Sequence, residues 1–153
     1  MKTEDWFKGE FVKQLRLTMP GCVTIRHEDQ YTAGVPDISH SWMGHTSWWE
    51  AKAVCPTPGR ELRTTGVQIL TCSRLDVCGS LCRYLVWLED GDGPVTLAVK
   101  AESLIAPIIH HGMTKIPAKQ VRALGIKIAD GHDFKQAAEF VRQIHGRLRA
   151  GEP

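Results

Sequence analysis

The chain lacks any apolar run near the roughly 20 residues that a membrane-spanning helix requires. Its first residues, Met1-Lys2-Thr3-Glu4-Asp5, lead into an amphipathic stretch and not into the apolar core of a secretory leader. Both absences point to a cytosolic protein without a membrane partner. A dominant charge is also missing: 19 Lys and Arg stand against 17 Asp and Glu, a formal net charge of +2. The whole-chain field is weak, so any polyanion must be met by a local patch. The segment from Ala101 onward is mildly basic, which a solvated surface explains. There is no internal repeat, no low-complexity tract and no linker long enough to divide the 153 residues, which fits a single domain over 1–153. Cys22, Cys55, Cys72, Cys78 and Cys82 are odd in number and irregular in spacing. They predict reduced thiols and no disulfide framework. Cys78 and Cys82 have no second pair at zinc-ligand spacing, and none of the seven histidines stands in an HExxH or CxxC setting.

What is present reads as alternating helices and strands. Phe7, Phe11, Val12 and Leu15 recur at helical spacing and predict a helix from about Asp5 to Met19, ended by Pro20-Gly21. Cys22 to Glu28 alternates, with Val23 and Ile25 on one face and Thr24 and Arg26 on the other, as a half-buried strand does. Asp37 to Met43 and Thr46 to Ala53 predict two further strands with Gly44 between them. A loop over Cys55-Pro56-Thr57-Pro58-Gly59 precedes a helix from about Thr65 to Val77, with Ile69, Leu70, Ser73 and Val77 expected inside. Arg83 to Leu88 is apolar enough for a central strand buried on both faces, and Val95 to Val99 returns beside it. Ser103 to Ile109 predicts a short helix interrupted at Pro107, and Val121 to Ile128 fits either period. Asp133 to Arg149 predicts a C-terminal helix, opened by the capping pair Asp133 and Gln136.

The candidate chemistry lies in Gly34-Val35-Pro36-Asp37-Ile38 and Glu50-Ala51-Lys52. Folded as a hairpin, the two segments bring Asp37 beside Glu50. Residues two apart in a strand share a face, so Glu50 and Lys52 point together while Ala51 points into the opposite layer. Two carboxylates and an ammonium then converge, the oxygen-rich setting that a hard divalent cation takes. Trp48 and Trp49 set large apolar groups around the site, and an acidic pair on a partly buried face needs a cation or another reason to be there. Against this stands a plain solvated face with a cross-strand ion pair.

The order helix, strand, strand, strand, helix, strand, with Pro36-Asp37 opening one middle strand and Glu50-Ala51-Lys52 in the next, resembles the PD-(D/E)xK nuclease superfamily. With Gln68 downstream it is most similar to VRR-NUC-type nucleases, close to Holliday-junction resolvases. The resemblance covers residues 4–100 and leaves 101–153 as an extension of unassigned role. It implies an α/β (α+β, mixed-sheet) restriction-endonuclease-like core and a Mg²⁺- or Mn²⁺-dependent DNA endonuclease. Asp37, Glu50 and the backbone carbonyl of Ala51 would hold the metal, and Glu10 on the first helix would complete the site, with Glu4 and Glu28 as rivals. Lys52 would position the attacking water and stabilise developing charge, and Gln68 would help to set the site. In-line attack by metal-activated water would leave a 5′-phosphate. Ala51 departs from the aliphatic residue frequent at its position, and the Cys55–Thr64 loop lacks the glycine that often follows the lysine.

Gln68 also has a structural reading, because Thr65 and Gln68 form a capping box. Lys13, Arg26, Arg60 and Arg63 fall near the expected site as candidate phosphate contacts, although exposed cations are usually just solvated. The small form suggests a phage or mobile-element nuclease acting on DNA, including branched DNA. Resolution of a junction would require a homodimer. An inactive nuclease fold kept as a DNA-binding module is the alternative of a different class.

Overall fold

The computed structural model describes residues 3–28, 31–54, 61–111 and 115–152, with no description of the side chains of 109–111. Helix α1 (Glu4–Thr18) is followed by strands β1 (Val23–Arg26), β2 (Ile38–Trp42), β3 (His45–Val54) and β4 (Glu61–Arg63). Then come α2 (Gly66–Val77), β5 (Leu81–Glu89), β6 (Pro94–Val99), α3 (Ala101–His111), β7 (Lys115–Pro117), α4 (Ala118–Leu124), β8 (Ile126–Asp130) and α5 (Phe134–Arg149). Six strands form one mixed sheet in the order β1-β2-β3-β5-β6-β8, and β4 and β7 form a separate pair. Strand β3 runs antiparallel to β2 and parallel to β5, with α2 supplying the crossover. Among the described residues no helix is long and apolar enough to cross a membrane.

The sheet separates two apolar cores. On one face α1 and α5 pack over Ile38, Trp49, Ala51, Leu85 and Trp87. On the other, Ile69 and Cys72 of α2 and Leu104 of α3 cover Cys82, Tyr84, Val86 and Leu88. The run in β5 is therefore buried on both faces, as its composition predicts. Residues beyond 100 belong to this body: β8 extends the sheet, and α5 brings Phe134 against Trp6 and Phe7 of α1. The ambiguous stretch 121–128 divides into the end of α4 and the start of β8. The connection between β2 and β3 is a two-residue turn in which both Met43 and Gly44 have positive φ, the twist that tight hairpins favour.

Several expectations are corrected. In β1 the buried face is the one that carries Thr24, while Val23 and Ile25 are exposed, because among the described residues no helix packs on their side of the sheet edge. Leu70 and Val77 of α2 also face outward, and Cys72 takes the buried position. Helix α3 continues through Pro107, with Ala101 and Leu104 anchored in the second core. Cys72 and Cys82 are paired as a disulfide, their Cα atoms 5.3 Å apart, because the return from α2 into β5 folds one under the other. Cys22 and Cys78 are free thiols, and Cys78 is exposed. Cys55 and its loop lie outside the described residues.

A polar chain threads the first core. Trp49 Nε1–H donates to Ser47 Oγ at 2.9 Å, and His145 Nε2 of α5 meets the same hydroxyl at 2.9 Å. His145 Nδ1 faces the carbonyl of Trp42 at 3.2 Å, so that nitrogen carries the proton and Nε2 accepts. His40, also fully buried, meets Thr24 Oγ1 through Nδ1 at 2.8 Å and stands edge-on to His145. Burial, followed by the neighbouring His145, holds the His40 pKa down to about 4. Burial also lowers that of His145. Both rings fold neutral, whereas the unfolded chain binds protons below about pH 6.5. Stability linked to them is complete above that pH and is lost as pH falls towards 4. For His40 alone the loss at pH 5 is about 2 kcal/mol. Urea denaturation at pH 7 and pH 5 should show it, and His40→Asn should flatten the difference. Equal pH dependence in the two proteins would contradict this account.

Candidate active site

Strand β3 outlasts its neighbour β2. The β2–β3 ladder ends at Ile38 opposite Trp49, and β3 continues to Val54 against β5 alone. From Glu50 onward one edge of β3 is uncovered, and its backbone donors need partners. Asp37, one residue before β2, takes the first: its Oδ2 accepts the Ala51 N–H at 2.9 Å. Glu4, in the first turn of α1, takes the second, its Oε2 accepting the Ala53 N–H at 3.3 Å. The sequence places Asp37 there by extending the ladder register, which sets it opposite Glu50. Gly34 aids the approach, because it has positive φ and packs so close to Val67 that a Cβ would lie 2.6 Å from the valine Cγ1.

Glu50 and Lys52 project to the α2 side of the sheet, as strand alternation requires. Glu50 is 2% exposed. Its Oε1 accepts from Lys52 Nζ at 2.9 Å and from Gln68 Nε2 at 2.7 Å. The orientation of the Gln68 amide is set from behind: its Oε1 accepts the Thr65 N–H at 3.1 Å and the Thr64 hydroxyl at 3.2 Å. Thr64 in turn meets the Tyr84 hydroxyl at 2.6 Å. The capping box is thus real, and the same glutamine reaches the buried carboxylate, so both readings of Gln68 hold. Tyr84 lies beside Glu50 in the β3–β5 ladder and is kept a neutral phenol, chiefly by burial.

The structure brings Asp37, Glu50, Lys52 and Gln68 together and leaves Glu10 out. Glu10 sits two residues beyond Lys8, just over half a turn around the helix, where it pairs with Lys13 at 3.7 Å. Its rival Glu4 takes the position on α1. Glu28 pairs with Arg26 at 3.0 Å, and Arg26 also holds Asp5 at 2.5 Å, so two acids balance that guanidinium. Lys13 points outward with Glu10. Arg63 instead borders a cleft of about 390 Å³ lined by Glu4, Lys52, Ala53, Val54, Glu61 and Leu62. Across the small sheet it faces Lys115. Arg60 lies outside the described residues. Trp49 points away from the carboxylates into the first core, while Trp48 shares their face and stacks on His27.

Lys8 is the residue that motif reading overlooks. Its Nζ lies 2.8 Å from Asp37 Oδ1 and 3.2 Å from Glu4 Oε1. Burial opposes its charge, but the hydrogen bond and charge of Asp37, with those of Glu4, leave its pKa raised. The available signal was the Glu4-x-x-x-Lys8 spacing, which puts both on one flank of α1. For Glu50 burial raises the carboxyl pKa; Lys52 opposes the shift and Asp37 adds to it.

These residues fit a divalent cation. Glu50 is a desolvated carboxylate beside a second one, an excess of negative charge that a cation relieves. In a strand the N–H and C=O of one residue share an edge, so the Ala51 carbonyl faces the side on which Asp37 lies. Among the described residues no group of three Asp, Glu, His or Cys side chains is arranged to hold a metal. One or two carboxylates, completed by water and phosphate oxygens, is the usual protein share of a Mg²⁺ site.

The raised Glu50 pKa means that its ionised form weakens the metal-free fold: the native state favours the proton, and this contribution is lost as pH rises through the folded pKa. Glu50→Gln should therefore melt a few degrees above wild type at pH 7.5 in EDTA, and the two should converge as pH falls towards 4.5. A lower melting temperature for Glu50→Gln would show that the Lys52 pairing outweighs desolvation.

No family model and no curated protein matches the sequence. Among solved structures the chain is similar to Hjc, a Holliday junction resolvase from the archaeal hyperthermophile Archaeoglobus fulgidus. The TM-score is 0.55 and the identity 13%, over 86% of this chain and 97% of that one. The likeness is one of fold, and it extends past residue 100. The mixed six-stranded sheet with its C-terminal helix is the restriction-endonuclease-like fold.

Proposed function

We propose that the protein is a Mg²⁺- or Mn²⁺-dependent DNA endonuclease of the PD-(D/E)xK superfamily. Its motif pattern favours the VRR-NUC type, and its small form a phage or mobile-element setting. The observation that carries the reading is the convergence of Asp37, Glu50 and Lys52 at the uncovered edge of β3, beside an open cleft. Asp37, Glu50 and the Ala51 carbonyl hold the cation, which when bound supplies Lewis-acid activation of water and neutralises phosphate charge. Lys52, half-buried and held by Glu50, would orient the water and stabilise charge on the phosphate oxygens. Gln68 keeps the Glu50 carboxylate in one rotamer through its cap. Arg63 and Lys115 stand opposite each other on the small sheet, and like charges so placed disfavour the pairing unless an anion lies between them. They supply backbone phosphate contacts.

The fold likeness to a Holliday junction resolvase favours branched DNA as substrate and a homodimer as the working form. Cleavage of a labelled four-way junction, a matched linear duplex and a single strand, in Mg²⁺, Mn²⁺ or EDTA, tests this. Wild type should cut only with metal. Asp37→Ala and Lys52→Met should each lower the rate on the order of 100-fold or more, with DNA affinity changed only a few-fold. Preference for the junction selects the resolvase reading. DNA binding with no cutting of any substrate selects an inactive module, and cutting that persists in Asp37→Ala removes the assigned site.

A further inference from the structure

Charge balance in the cluster bears on how many metal ions it can hold. Three carboxylates, Glu4, Asp37 and Glu50, are linked through bonds to β3 or to the two ammoniums Lys8 and Lys52. Together the five groups leave one negative charge. One divalent cation with one bound phosphodiester brings them to neutrality. A second divalent cation would leave two uncompensated positive charges in a region where Glu50 is 2% exposed. Unscreened charge there is costly.

Lys8 also places a fixed positive charge between two of these acids, 2.8 Å from Asp37 Oδ1 and 3.2 Å from Glu4 Oε1. Two-metal centres use a carboxylate to bridge ions about 4 Å apart. Asp37 is the carboxylate best placed to bridge: its Oδ2, bonded to the Ala51 N–H, keeps a lone pair for one ion, whereas a second ion on Oδ1 would meet the Lys8 ammonium 2.8 Å from that oxygen. The lysine is not a chance surface partner. Its side chain is 18% exposed, it is flanked by two acids, and its backbone is fixed by α1, whose Phe7 and Phe11 are fully buried. Glu4, the remaining acid on α1, is committed to the same ammonium and to the Ala53 N–H.

We propose that Lys8 is a tethered cation in the place of a second metal ion, so that the Asp37–Glu50 cluster accepts one divalent cation and not two. The inference rests on the reading of this cluster as a metal-dependent nuclease centre. Lys8 acts as a positioning residue: it holds Asp37 for the single ion and excludes another.

Mn²⁺ titration of the full chain, with free Mn²⁺ followed by electron paramagnetic resonance, tests it without any cleavage assay. Wild type should bind one Mn²⁺ per chain, and Asp37→Asn should abolish that binding. Lys8→Met keeps the length and apolar packing of the side chain without its charge, and should bind two ions per chain. Lys8→Arg restores a cation and should return the number to one. In cleavage, the dependence on Mn²⁺ should be hyperbolic for wild type and sigmoidal for Lys8→Met. Two ions bound by wild type, one ion bound by Lys8→Met, or no binding by wild type up to millimolar Mn²⁺ would each overturn the proposal. The nuclease reading fails separately: one Asp37-dependent ion, two in Lys8→Met and no cleavage of any DNA would leave Lys8 in its role and remove the activity.

Discussion

The mismatch in length between β2 and β3 organises this molecule. Strand β3 has ten residues and β2 has five, so half of β3 carries backbone donors that no strand satisfies. Leaving them unpaired near the core would cost on the order of 1–3 kcal/mol each. Carboxylates from Asp37 and Glu4 take their place, and this brings acids to the edge where Glu50 and Lys52 already stand. The gap in the sheet and the candidate active site are one feature.

The site depends on elements far along the chain. Glu4 reaches β3, and Lys8 reaches Asp37, because α1 is held at its amino-terminal end. Trp6 and Phe7 meet Trp87 of β5 and Phe134 of α5 in one aromatic cluster. At the other end of α5, His145 ties the helix to Ser47 and to the carbonyl of Trp42, fixing the β2–β3 hairpin from behind. Residues 101–153 therefore form part of the scaffold that sets the carboxylates.

Electrostatics and stability pull against each other here. A buried carboxylate with a second acid beside it disfavours the metal-free fold, and the protein tolerates it by pairing each acid with an ammonium. Glu50 has Lys52, and Asp37 has Lys8. The Thr65–Gln68 cap adds a neutral donor that needs no further counter-charge. Strain of this kind concentrated at one place is a familiar mark of a functional site. The distant His40–His145 pair shows the opposite solution, in which buried rings are kept neutral.

Local pattern in the sequence determined α1, α2, α5 and the strands β1, β2, β3, β5 and β6, the apolar stripe of α1, the twice-buried β5, the Thr65–Gln68 cap and the shared face of Glu50 and Lys52. These follow from periods of 3.6 and 2 and from capping chemistry, which act within a few residues. Pairing Asp37 with Glu50 was legible too, because a tight hairpin fixes its own register. The short β4 and β7 and the division of 121–128 between α4 and β8 depend instead on tertiary pairing. Tertiary structure alone decided which side of each element faces the core. The apolar residues Val23, Ile25, Leu70 and Val77 are exposed because neighbouring layers stop short of them. It also decided which acid on α1 reaches β3. Glu4 and Glu10 differ in sequence only by position on a helix, and the angle at which that helix crosses the sheet is set by the aromatic cluster with α5. Lys8 was illegible for the same reason: a lysine four residues from a glutamate is an ordinary surface pair until the fold lays both against the open edge of a strand.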